Sequence, residues 1–159
     1  MKLGLICVGR LKAGPERELF ARYAERIRAL RRLGLEGLEL KEIDESKAAS
    51  GAERASREAT ELFSVLPAES RLAAFDERGR AATSAAFSQF IASERDRGCK
   101  ALWFAIGGSE GLDESVRARA SAVFSFGAMT IPHQFVRILA AEQIYRAMTI
   151  LSGHPYHRG

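Results

Sequence analysis

The sequence predicts an α/β fold, a parallel sheet with helices packed on both faces. Short apolar runs alternate along the chain with longer amphipathic stretches, which is the pattern of βα units. Two of the runs, Leu3–Val8 and Ala101–Ile106, are apolar throughout, as strands buried on both faces must be. Glycine or a turn cluster punctuates the ends of the runs.

The first strand is Leu3–Val8, ended by Gly9. Pro15 opens a helix at a position where its missing N–H costs nothing. Leu19, Phe20, Tyr23, Ile27 and Leu30 recur there at helical spacing, and Gly34 is the expected stop. Leu38–Ile43 alternates in part and reads as a half-exposed strand. A second helix is expected from about Ala48 to Leu66, burying Ala52, Ala55, Ala59, Leu62, Phe63 and Leu66. Arg71–Phe75 is the third strand, followed by a turn at Asp76–Gly79. Thr83 or Ser84 caps a third helix through about Arg97. Ala101–Ile106 is the fourth strand and the candidate for the sheet centre. Asp113 caps a short helix to about Val123, Phe124–Met129 is a fifth strand, and Pro132 opens a last helix through about Ser152. Phe135, Ile138, Leu139, Ile144, Tyr145, Met148 and Leu151 cover most of that helix's circumference, so a second copy of the chain is expected against it.

The chain has 159 residues, expected to form one domain, 1–159, that buries a core without disulfides or a structural metal. Hydrophobic residues make up 47% and charged residues 28%, which excludes a disordered or fibrous chain. No apolar run approaches the roughly 20 residues of a membrane span, and Leu3–Val8 is too short for a signal-peptide core. A cytoplasmic protein with no membrane partner is therefore expected. Cys7 and Cys99 lack metal-ligand spacing and read as reduced thiols, and no metal is expected. The balance of 24 Lys+Arg against 20 Asp+Glu, net +4, suits a polyanionic partner without requiring one.

Open parallel sheets bind ligands at the carboxyl ends of their strands. Three loops leave such ends: Asp76–Gly79, Gly107–Gly111 and Thr130–His133. The glycine loop, Gly107-Gly108-Ser109-Glu110-Gly111, is neither the dinucleotide fingerprint nor a P-loop. Ser109 has no His and Asp partners in a nucleophile pattern. The three histidines, His133, His154 and His157, fall within the last 27 residues. The run His154-Pro155-Tyr156-His157-Arg158 combines a stacking ring, two imidazoles and a guanidinium, types that suit an unstacked base and its phosphates.

Together these residues resemble the SPOUT-class methyltransferases that act on pseudouridine N3 in large-subunit (23S) ribosomal RNA. The matching pieces are Met1-Lys2-Leu3 with Val8-Gly9, Asp76 with Gly79, Phe104 to Gly111, Met129 to His133, Ala141 to Ala147, and the terminal His-Pro-Tyr-His-Arg. The resemblance implies a C-terminal trefoil knot, which periodicity does not reveal and which general rules of chain topology disfavour. It implies a homodimer, S-adenosylmethionine as cofactor, and the assembled ribosome as substrate. Cofactor contacts are implied at Phe75, Gly107, Phe126, Gly127, Ala128, Met129, Thr130 and Ile131. Because histidine titrates near neutrality, His133 and His157 are the candidates for taking the N3 proton, with a water as the alternative, and Tyr156, His157 and Arg158 are the candidates for holding RNA. A SPOUT enzyme of another RNA, such as a tRNA, and a non-catalytic RNA-binding assembly factor are the alternatives.

Overall fold

A computed structural model of the chain describes residues 1–30 and 33–156. Five strands, β1 (Lys2–Val8), β2 (Glu36–Ile43), β3 (Ser70–Ala81), β4 (Ala101–Ile106) and β5 (Val123–Ser125), form one sheet in the order β2-β1-β4-β3-β5. Every pairing is parallel. Between and after them run α1 (Pro15–Ala29), α2 (Gly51–Val65), α3 (Ser84–Asp96), α4 (Glu114–Arg119) and α5 (His133–Leu151).

The period-2 alternation of β1 sends its side chains into two cores. Leu3, Leu5 and Cys7 join Phe104, Phe75 and the apolar faces of α1, α3 and α5. Ile6 and Val8 join Trp103, Ala74 and the inner faces of α2 and α4. Each fully buried Leu, Ile or Phe contributes about 2 kcal/mol. Gly4 serves the second core: a Cβ there would lie 2.3 Å from the Trp103 ring, so only glycine lets the indole pack flat on β1. Among the described residues no helix is long and apolar enough to cross a membrane.

Several elements depart from expectation, each for a tertiary reason. The third strand does not stop at Phe75. It runs to Ala81, and Asp76–Gly79 bulges out of it, because both Phe75 and Arg80 pair with Phe124. Gly79 lies so close to the Phe124 backbone that a Cβ would sit 2.6 Å from its carbonyl carbon. The fifth strand is only Val123–Ser125, since Gly127 takes φ +118° and Ser125 Oγ bonds the Gly127 N–H and carbonyl, both at 3.1 Å. Helix α4 ends at Arg119 because Ser121 donates to Leu72 O at 2.7 Å and draws the chain into the sheet. Helix α1 ends at Ala29, before Gly34, and α2 starts at Gly51, with Ser50 accepting from Glu53 N; Ala52 is exposed. Most of the apolar circumference of α5 is covered by its own chain, where α1 and α3 pack on it. Phe135 (50% exposed) and Leu139 (37%) stay open, beside Met129 (85%) on the preceding loop.

Candidate active site

The carboxyl ends of β1, β3, β4 and β5 converge on one rim. A cleft of about 420 Å³ opens there, within the range of small-ligand sites. Phe75 and Phe126 form one wall, their rings stacked at 4.9 Å and 10°. Ile106 and Val136 extend the apolar surface, and Asp76, Glu77 and Glu110 bring carboxylates to the edge. Of the residues implied for the cofactor, Phe75, Gly107, Phe126, Gly127, Met129, Thr130 and Ile131 line this cleft, as does His133. Ala128 does not line it.

The glycine loop is fixed before any ligand arrives. A Cβ on Gly107 would stand 2.4 Å from Gly111 C, so this glycine is needed for the loop to close on itself. Gly108 and Gly111 form an isolated bridge, and Gly111 takes φ +74°. Asp76 ties the loop to the β3 bulge. Its carboxylate, 4% exposed, accepts from Leu112 N at 3.3 Å, Arg117 at 3.4 Å and Arg78 N at 2.9 Å. The sequence reading left Asp76 as a turn residue; it is the clamp between two cleft walls. On the outer side Arg54 of α2 holds Glu110 and also donates to Ala48 O.

His133 occupies the first position of α5, where the loop after β5 becomes helix. Its Nε2 lies 3.5 Å from Glu45 Oε1. Burial, then the Arg137 guanidinium one turn on, hold its pKa below the usual histidine value, against the opposing pull of Glu45. The ring is therefore neutral at neutral pH and able to accept a proton. Arg137 is fully buried and donates to Val8 O and Gly9 O, both at 3.1 Å, and to Glu42 at 2.8 Å. It fastens α5 to the end of β1. The sequence reading missed it, although an arginine between Val136 and Ile138 on an apolar helix signals a buried, paired charge.

Tyr156 is not at the cleft. It packs edge-on against Tyr145 at 4.7 Å, under Arg146 at 5.2 Å, with its hydroxyl 3.3 Å from Glu142. Burial, with Tyr23 and Glu142 nearby, pushes its pKa up to about 12. His157 and Arg158 lie outside the described residues. Burial pushes the Cys7 thiol up to about 12 and leaves it inert, and no cluster of three potential metal ligands occurs among the described residues.

A parallel α/β sheet with a bulged rim cleft, its last helix bonded across to the first strand, defines a class of small-ligand-binding α/β proteins, and sequence comparison narrows it. Residues 1–157 match the family model described as "Predicted SPOUT methyltransferase". The chain belongs to the SPOUT methyltransferase family. It is 54% identical over 159 residues to "Ribosomal RNA large subunit methyltransferase H" of Methylocella silvestris, and 52% identical to the protein of that name from Rhizobium meliloti. Each match covers 99% of both chains. The SpoU methyltransferase AviRb from Streptomyces viridochromogenes, solved with AdoMet, is similar at 13% identity and TM-score 0.42, over 90% of this chain and 56% of that one, a likeness too slight to bear on function.

Proposed function

We propose that this protein is a cytoplasmic enzyme that methylates ribosomal RNA of the large subunit with S-adenosylmethionine, at N3 of a pseudouridine on the assembled ribosome. The observation that carries the reading is the rim cleft, found in a chain that matches large-subunit rRNA methyltransferases from end to end. We include in the proposal a single domain over residues 1–159, the trefoil knot and a homodimer.

The cleft suits the cofactor. Phe75, Phe126 and Ile106 offer apolar surface to an adenosine, the turns at 107–111 and 126–131 offer backbone groups, and the edge carboxylates favour a cation. When bound, S-adenosylmethionine supplies an electrophilic methyl on a positively charged sulfur. The chain's own work is positioning and proton handling. The preformed glycine loop holds one wall still, so little ordering is needed on binding. Neutral His133 accepts the N3 proton as the nitrogen attacks.

The tail serves the site of a second copy. Tyr145, which holds Tyr156, lies twelve residues along α5 from His133, about 18 Å at 1.5 Å per residue. One chain therefore keeps its cleft and its tail anchor about 18 Å apart along a rigid helix. The open apolar group Met129, Phe135 and Leu139 beside the cleft gives the partner a surface to cover.

The test is methyl transfer from labelled S-adenosylmethionine to purified large subunits, whole ribosomes and tRNA, with the product nucleoside identified. Label at pseudouridine N3 of large-subunit RNA is expected; label on tRNA alone, or none, sinks the reading. His133→Gln is expected to lower kcat about 10²-fold. The acid limb of the wild-type kcat profile should lie below pH 6.5, because the histidine stays neutral down to its depressed pKa. An unchanged kcat would transfer the proton to water.

A further inference from the structure

The positive charge of this chain is not spread over it. Residues 10–32 hold eight basic and three acidic side chains, a net +5, while the rest of the chain carries 16 against 17, a net −1. The whole basic excess therefore lies on α1 and its flanks. Arginines elsewhere are mostly neutralised: Arg54 by Glu110, Arg57 by Glu53, Arg71 and Arg97 by Glu94, Arg117 by Asp76 and Arg146 by Glu142. The ends of the α1 segment follow that habit, since Arg10 pairs with Asp44 and Arg17 with Glu42. Arg22, Arg26 and Arg28 do not. They are exposed and have no carboxylate partner among the described residues.

The helix dipole accounts for only part of this. It favours one or two cations in the last turn, which Arg26 and Arg28 supply. It does not call for Arg22, or for the Arg31-Arg32 pair that follows in sequence. Arg26 also does not point idly into solvent: its guanidinium lies 5.7 Å from the Tyr23 ring and 5.8 Å from that of Tyr145. Tyr145 in turn holds Tyr156, so all three tyrosines of the chain meet where α1, α5 and the C-terminal tail join. The three arginines spread over the exposed half of α1, and through Arg26 that half meets the root of the tail.

We infer that the exposed half of α1 is a track for the RNA phosphate backbone, which leads the strand toward the root of the tail. The inference rests on the proposed RNA substrate and adds where that substrate is gripped. Unpaired guanidiniums on a rigid helix suit phosphates, because each contact releases condensed counterions and costs no internal ion pair. The grip is sequence-blind; it sets affinity and register, and leaves the choice of base to the cleft and tail.

The test compares the full-length protein with the double variant Arg22→Gln/Arg28→Gln, and with Arg57→Gln as a control on α2. Affinity for a protein-free large-subunit rRNA fragment is measured from 50 to 300 mM KCl, alongside RNA methylation, calorimetry with S-adenosylmethionine, and sedimentation. In the double variant the slope of log affinity against log salt is expected to fall by about 2, one per lost phosphate contact. KM for RNA should rise several-fold, while kcat, cofactor affinity and sedimentation hold; Arg22→Lys/Arg28→Lys should restore the slope. An unchanged slope and KM would overturn the track. So would a changed sedimentation coefficient, which would make α1 a contact between copies. Weakened binding to intact subunits with an unchanged slope on free RNA would assign the face to a ribosomal protein and overturn it too. Methylation of intact ribosomes by an unaltered protein that does not bind the free fragment would also overturn the track; if it methylates neither ribosomes nor free rRNA, the proposed function falls first and takes the track with it.

Discussion

Two loops face each other across the cleft and are built on opposite principles. The glycine loop, 107–111, is locked from every side: by its own backbone at Gly111, by Asp76 from β3 and by Arg54 from α2. Beyond Phe126, which stacks on Phe75, the facing loop 127–131 is nearly bare. Gly127 has nothing within 4 Å of where a Cβ would stand, Met129 is 85% exposed, and the main local tie is the Ser125 hydroxyl on Gly127. One wall is ready before binding; the other is left for a ligand or a second copy to order. A rigid wall lowers the entropic cost of binding, and an open wall admits the ligand.

The largest effect should come from Gly107→Val. The added side chain meets backbone that cannot move aside, so about 3 kcal/mol of stability should be lost together with cofactor binding. Gly127→Ala meets only open space and the strain of φ +118°, costing about 1 kcal/mol. Denaturation and calorimetry on both variants check this, and equal costs would erase the contrast between the loops.

Next is Asp76→Ala. It strips the acceptor from Leu112 N and leaves Arg117, which is 12% exposed, without its buried partner. A loss of about 3 kcal/mol is expected, with a clear rise in the dissociation constant for the cofactor. A variant with full stability and full affinity would show that the glycine loop holds itself.

The smallest effect sharpens what stands behind the locked wall. Glu58 is buried beside Gly108; its Oε1 accepts from Ser46 N at 2.9 Å, and its Oε2 has no partner among the described residues. Burial raises its pKa, so the stability it contributes is present in full below about pH 4.5 and is lost as pH rises through the folded value. Glu58→Gln should therefore stabilise the protein at pH 7 by about 1 kcal/mol, with the gain gone below pH 4.5. Urea midpoints at pH 4 and pH 7 measure it, and a loss at pH 7 would mean that the carboxylate is satisfied.

Much of the site was legible from motifs. The glycine loop and Thr130–His133 stand out because strand ends in a parallel sheet are where ligands bind, whereas Phe75 and residues 126–129 were implied only by the family resemblance. Three features were not legible. Asp76 looked like a turn residue because its partners, Leu112 and Arg117, lie 36 and 41 positions away. Arg137 reaches carbonyls 128 and 129 positions back. Tyr156 looked like a free stacking ring, and only the packed structure seats it on Tyr145.

What the sequence determined alone is the alternation of strands and helices, since periodicity is a local property that burial on a parallel sheet imposes residue by residue. It determined which strand ends would carry glycine and histidine for the same reason. Tertiary structure decided the strand order, the bulge at Asp76–Gly79, the early end of the fifth strand and the fastening of α5 to β1. Those depend on backbone and charge partners far apart in the chain, whose pairing has no period for a sequence to display.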